Sequence, residues 1–254
     1  MSTTPSHDAA SREDAISRVT EAVGHVVSDA VSWRHRPKIL LLRDPMSGFL
    51  HFIGALLSIA ALALLVTRAA FLAKPWHIVS YSIFGAGMIG LYIASTLYHW
   101  FEDPDAPSKK LRVFDHVMIY ILIASTYTPI CLVPLRGPWG WSLFGVVWGL
   151  AIAGAVLEVL RRDIPRWVGA AIYIAMGWTC LVAFVPILQT MQTGAVAWML
   201  IGGGCYTVGG IIYALRRPNL IKDVFSHHEI FHLLCMAGSF AFFWVMYAYV
   251  IQLD

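Results

Sequence analysis

Residues 167–215 read WVGAAIYIAMGWTCLVAFVPILQTMQTGAVAWMLIGGGCYTVGGIIYAL and contain no charged side chain. This run is too long for one helix, because a helix needs only roughly 20 apolar residues to cross a bilayer core. The polar residues 189–194 (QTMQTG) are its only break, so we divide it there into two spans. The run predicts an integral membrane protein of the all-α class, since helices satisfy their own backbone groups in lipid.

The rest of the chain has the same character. It has 254 residues, of which 58% are hydrophobic and 13% charged, against roughly 25% charged in soluble domains. We predict seven apolar spans, at about 49–73, 77–101, 113–134, 138–160, 167–188, 194–215 and 228–251. They would form a seven-transmembrane helix bundle over residues 45–254, behind a soluble cytoplasmic arm at 1–44. Helical spacing of apolar residues within 11–31 leaves the arm either an interfacial amphipathic helix or a loosely ordered tail.

Basic residues predict the orientation of this bundle. Of the 18 Lys and Arg residues, only Arg68, Lys74 and Arg136 fall on one side of the membrane in this arrangement. The arm and alternate loops carry the others, and basic loops remain in the cytoplasm. We therefore predict a multi-pass protein of the cell membrane with a cytoplasmic amino terminus and an outer carboxyl terminus. The net charge of +3 follows from this topology and does not indicate nucleic-acid binding.

Histidines at the cytoplasmic side predict a metal site. His228 and His232 open the seventh span four residues apart, so a helix places both imidazoles on one face. His99 ends the second span on the same side. Three histidines are a ligand set of Zn²⁺ that leaves one position for water, and zinc lowers the pKa of that water to about 7. Polar residues inside apolar spans are typical of functional sites.

Two further residues are catalytic candidates at the same depth. Asp115 opens the third span, and its carboxylate can accept the proton of the water. Ser95 lies one helical turn before His99 and can hydrogen-bond a neighbouring group or a substrate carbonyl. The structural alternatives are that Asp115 caps its helix or pairs with a nearby basic residue, and that Ser95 bonds its own helix backbone.

Other residues carry expectations about packing and pairing. Gly145 and Gly149 form a small-xxx-small pair that predicts a close helix contact. Pro129 and Pro186 lie inside spans and are expected to kink them. Glu158 is expected to pair with Arg161 or Arg162.

These motifs resemble one family. The set consists of Ser95-x-x-x-His99, Asp115, Thr126-Tyr127-Thr128-Pro129 and His228-Glu229-Ile230-Phe231-His232. Over roughly residues 40–254 it resembles the hemolysin III family, which is related to the progestin and adiponectin receptors and, more distantly, to the alkaline ceramidases.

The resemblance implies a fold, a site and a class of substrate. It implies seven helices with a cytoplasmic amino terminus and a zinc ion on His99, His228 and His232. It also implies a metal-bound water that contacts Asp115, with Ser95 nearby. The adiponectin-receptor relatives are similar to hydrolases that act on the amide bond of ceramide-like lipids.

We therefore expect a zinc-dependent membrane hydrolase, a lipid amidase of ceramidase-like type, whose substrate is a membrane lipid with an amide or ester bond. The main alternative is a non-catalytic receptor, transporter or cytolytic protein with a structural zinc site. A structural site has four protein ligands, so His51 or His116 would then reach the metal. A third reading is an intramembrane metalloprotease, because His228-Glu229-x-x-His232 matches the zincin pattern with Glu229 as the base.

Overall fold

The computed structural model describes Glu21 and residues 44–101, 109–160, 164–218 and 226–254. Most of the predicted arm at 1–44 lies outside these residues. The described residues form helices and no strand. In chain order the α-helices are α1 (Pro45–Phe71), α2 (Pro75–Phe101), α3 (Lys109–Leu132), α4 (Pro138–Leu160), α5 (Arg166–Gly177), α6 (Phe184–Thr190), α7 (Thr193–Leu215) and α8 (His227–Ala248).

Seven stretches of the described chain are long and apolar enough to cross a membrane. α1 to α4 supply the first four, α5 and α6 together the fifth, α7 the sixth and α8 the seventh. The seven predicted spans are thereby confirmed, with ends that differ by a few residues. The division within the uncharged run is also confirmed, because α6 ends at Thr190 and α7 begins at Thr193.

The helices form a bundle in which most contacts join helices that follow one another in the chain. α1 packs on α2, α2 on α3, α3 on α4, α5 on α7 and α7 on α8. α4 contacts the middle of the fifth span, and contacts between α1 and α8 close the ring. Large apolar side chains such as Leu57, Ile152 and Val182 are exposed on its outer surface. Such a surface would be unstable in water but suits contact with lipid tails. The fifth span is the least buried of the seven.

The fifth span is broken in its middle. A 3₁₀ segment, Trp178–Ala183, separates α5 from the short helix α6, which contains Pro186. Proline lacks the N–H that would continue the helical ladder upstream, which explains a break at this place. The Tyr127 hydroxyl of α3 accepts a hydrogen bond from the Cys180 N–H at 2.9 Å and donates one to the Gly177 carbonyl. α3 itself continues through Pro129.

Glycines of α4 show which face of this helix packs. A Cβ on Gly154 would overlap the ring of Tyr120, a fully buried residue of α3. At Gly145 and Gly149 a Cβ would have no neighbour within 4 Å. The predicted close contact at Gly145 and Gly149 is therefore wrong: the close approach of α3 and α4 occurs at Gly154, on another face of the helix.

This difference predicts opposite effects of two alanine substitutions in one helix. Gly154→Ala should destabilise the protein by about 1–3 kcal/mol, because a buried tyrosine ring must move. Gly149→Ala should be neutral or stabilise by up to about 1 kcal/mol, because alanine is the better helix former. Thermal unfolding in detergent micelles measures both. Equal melting temperatures of the two variants would show that the α3–α4 contact is not as described.

Candidate metal centre

Three histidines meet where α2 ends and α8 begins. His99 lies in the last turn of α2, and His228 and His232 lie in the first two turns of α8. One ligand atom from each lies within 4.8 Å of the others. His99 and His232 are buried, and His228 is partly buried. Among the described residues this is the group of His, Cys, Asp and Glu side chains that is placed to hold a metal ion.

The start of α8 is fixed by a capping box. Ser226 accepts a hydrogen bond from the His228 N–H at 3.2 Å, and Glu229 accepts one from the Ser226 N–H at 2.7 Å. Such reciprocal bonds satisfy N–H groups that have no partner within the helix. The cap sets where the helix begins, and this puts His228 and His232 one turn apart on the same face.

The spacing of two of the three rings is close to that of two ligands on one metal ion. The Nε2 atoms of His99 and His228 lie 3.1 Å apart. Two nitrogens bound to zinc at about 2.0–2.1 Å are roughly 3.3–3.4 Å apart in a tetrahedron. The Nδ1 atom of His232 lies 3.2 Å from the Ser47 carbonyl oxygen, which can only accept. Nδ1 of His232 therefore carries the proton, and Nε2 keeps its lone pair for a metal.

Ser95 and Asp115 line the same cavity as the three histidines. Ser95 is fully buried, Asp115 is partly buried, and the two side chains are neighbours in this cavity. All five residues selected from the sequence thus face one space.

His51 and His116 are not part of the three-histidine group. The His51 ring stacks on that of His232, with centroids 3.7 Å apart and planes inclined by 11°. The lone pairs of two parallel rings lie in separate planes, so both cannot point at one ion. The Nδ1 atom of His116 instead pairs with Glu158 Oε1 at 2.7 Å. The residues predicted to pair with Glu158, Arg161 and Arg162, lie outside the described part of the chain.

Both carboxylate oxygens of Glu229 accept hydrogen bonds from other residues of the protein. Its Oε1 atom accepts a hydrogen bond from the Ser47 hydroxyl at 2.7 Å. Its Oε2 atom accepts bonds from the N–H and the hydroxyl of Ser226, each at 2.7 Å. A general base needs a free lone pair directed at the water that it deprotonates. These contacts disfavour the metalloprotease reading, in which Glu229 is that base.

The cavity continues from the histidines into an apolar space. Its volume is about 640 Å³, within the roughly 300–1,000 Å³ usual for pockets that take small molecules. Its apolar wall includes Leu91, Ile119, Ile123, Phe184, Met199 and Phe242. Leu181 of the fifth span and Leu200 of α7 line the cavity and are each about half exposed. The cavity is therefore not sealed where these side chains of the fifth and sixth spans lie.

Sequence reasoning missed one part of the site, the start of α1. Asp44 and Ser47 both line the cavity, and neither was selected as a candidate. The spacing Asp44-x-x-Ser47-x-x-x-His51 could have revealed them, because positions i, i+3 and i+7 share one helix face.

The fold and the site define a class of protein: a multi-pass, seven-helix membrane protein with a histidine cluster at one end of the bundle. The model of the family described as "Haemolysin-III related" matches residues 40–243. The chain therefore belongs to the haemolysin III-related family.

Individual relatives agree with this assignment. The chain is similar to the Hemolysin-3 homolog of Bacillus subtilis (strain 168), with 36% identity over 202 residues that cover 80% of this chain and 92% of the relative. It is 36% identical to Hemolysin-3 of Bacillus cereus over 203 residues, 79% of this chain and 89% of the relative. More distantly, it is 21% identical to the Homo sapiens monocyte to macrophage differentiation factor over 179 residues, covering 69% and 72% of the two chains.

Proposed function

We propose that this protein is a zinc-dependent membrane hydrolase that cleaves an amide or ester bond of a membrane lipid. One observation carries the proposal: the three histidines placed for a metal and the carboxylate of Asp115 line one cavity, whose other walls are largely apolar. A structural zinc site would need a fourth protein ligand, and neither His51 nor His116 is placed to be one.

His99, His228 and His232 would hold the metal through one nitrogen each. Zinc bound there supplies Lewis-acid activation of a carbonyl and of water at neutral pH. Asp115 accepts the proton of the attacking water and then returns it to the leaving amine or alcohol. Ser95 lines the cavity beside Asp115 and would orient its carboxylate. Reaction with water gives a fatty acid and an amine or an alcohol.

The apolar part of the cavity would hold the acyl chain of the substrate. An acyl chain gains free energy from leaving water only if its new surroundings are apolar, as the walls here are. The exposure of Leu181 and Leu200 supports entry from the lipid side, between the fifth and sixth spans. The distribution of basic residues supports a cytoplasmic amino terminus, which would put the metal in the cytoplasmic half of the membrane.

Hydrolysis by the purified protein tests this function. In detergent micelles, the protein should release fatty acid from at least one member of a panel of N-acyl and ester lipids. A chelator should abolish the release and added Zn²⁺ should restore it, because metal-free histidines cannot activate water. The same chain with His99→Ala serves as the matched preparation that zinc should not restore. Release that persists after complete removal of zinc would overturn the proposal.

A further inference from the structure

The start of α1 contacts two of the three candidate ligands. Asp44 Oδ2 lies 3.3 Å from His99 Nδ1, and the Asp44 N–H donates a hydrogen bond to the His99 carbonyl at 3.1 Å. The residue is thus joined to His99 through both its side chain and its backbone. This pair of bonds fixes the end of α2 against the beginning of α1.

The use of the Asp44 side chain is unusual for its position. Asp44 is the N-cap residue of α1, yet its side chain makes no capping bond to the N–H groups of that helix. Aspartate at an N-cap usually stabilises its own helix in this way, by about 1 kcal/mol. Here the carboxylate bonds His99 instead, so the contact replaces a stabilising local bond.

Ser47 holds the second ligand from the same helix face. Its carbonyl oxygen accepts the Nδ1–H of His232 at 3.2 Å, while its hydroxyl is bonded to Glu229 of α8. Ser47 is fully buried, so water does not compete for these groups. The two bonds join α1 to α8 beside the ligand.

His51 supports the same ligand from the face of its ring. The stacking distance of 3.7 Å to His232 prevents that ring from tilting in one direction, and Ser47 restrains its edge. His51 is 3% exposed, and neither of its ring nitrogens has a hydrogen-bond partner among the described residues. A buried imidazole without such partners is costly, and its position is therefore explained by the ring contact rather than by a bond of its own.

We propose that Asp44, Ser47 and His51 form a positioning element of the metal centre, in which Asp44 orients His99. Asp44 keeps the proton of His99 on Nδ1, so that Nε2 faces the cluster. Ser47 and His51 do the same for the orientation of His232. This inference rests on the metal site of the proposed function. Outer partners of this kind fix the tautomer and direction of ligand histidines, and their loss typically weakens metal binding by about 10–100-fold.

Zinc affinity measured by competition with a chelator tests the role of Asp44, with the absorption spectrum of the Co²⁺-loaded protein as a second readout. Asp44→Ala should weaken zinc binding by about 10–100-fold and change the cobalt bands, because the His99 ring loses its restraint. Asp44→Asn keeps an acceptor oxygen and the capping ability of the position. Its zinc affinity should lie between those of the wild-type protein and Asp44→Ala.

Asp254→Ala is the matched control, because it removes a carboxylate that pairs with Lys74 at 3.1 Å, outside the cavity. Its zinc affinity should equal that of the wild-type protein. Wild-type affinity and cobalt bands in Asp44→Ala would overturn the positioning role, provided that His99→Ala loses the metal. Failure of the wild-type protein to bind zinc or cobalt would instead overturn the metal site itself, so the two failures are distinguishable.

Discussion

Replacing His232 with alanine is expected to reduce bound zinc in the purified protein from about one ion per chain to background. Two imidazoles would remain, and protein zinc sites hold the ion with at least three ligands. His232 is also the candidate ligand with contacts on two sides, from Ser47 and from His51. The measurement is elemental analysis of the protein after dialysis against a weak chelator.

A second buried histidine provides the control for this experiment. His77 is 2% exposed and bonds the Val250 carbonyl at 3.0 Å. It lies near the start of α2, whereas His99 lies near the end, about 33 Å further along the helix at 1.5 Å per residue. His77→Ala should therefore keep its zinc. Equal zinc content in His77→Ala and His232→Ala would contradict the assignment of the ligands.

Asp115→Asn is expected to lower turnover of the lipid substrate by about 10²–10⁴-fold, the usual contribution of a general acid–base group, while zinc content stays unchanged. Asparagine keeps the size of the side chain and an acceptor for the Ser95 hydroxyl, but it cannot take up a proton. Turnover and zinc content measured on the same preparation separate loss of chemistry from loss of metal.

Glu229→Gln is the informative comparison for Asp115→Asn. Glutamine also completes a capping box through its one carbonyl oxygen, and its amide N–H can then donate to the Ser47 hydroxyl oxygen, so most of the turnover should remain. In a zincin mechanism the result would be reversed, because Glu229 would be the base. Full activity in Asp115→Asn together with loss of activity in Glu229→Gln would refute the proposed role of Asp115.

The architecture could be predicted because lipid imposes a simple rule on the sequence. Each span must be a long apolar helix, so hydropathy and one polar break sufficed to find all seven. The three histidines could also be predicted, because their spacing and their place at helix ends put them at one depth. The structure brings the three residues together where α2 ends and α8 begins, and the side of the membrane that this end faces remains a prediction.

Other features depend on contacts between helices, which the pattern of apolar residues along the chain does not reveal. At the break in the fifth span, the Tyr127 hydroxyl of α3 bonds a backbone N–H group. The presence of Pro186 in the sequence does not indicate that a residue of another helix supplies this bond. Gly145 and Gly149 matched a packing motif, but a motif does not say which helix face is turned to a neighbour. Asp44 was read as part of a polar arm, because its partner His99 is far away in sequence and adjacent only in the fold.

An anomalous diffraction map recorded at the zinc absorption edge would test the three-histidine centre most directly. We predict one peak at about 2.0–2.1 Å from Nε2 of His99, His228 and His232, with no protein side chain in the fourth position. Absence of a peak, or a peak with a fourth protein ligand such as His51, would contradict the catalytic site proposed here.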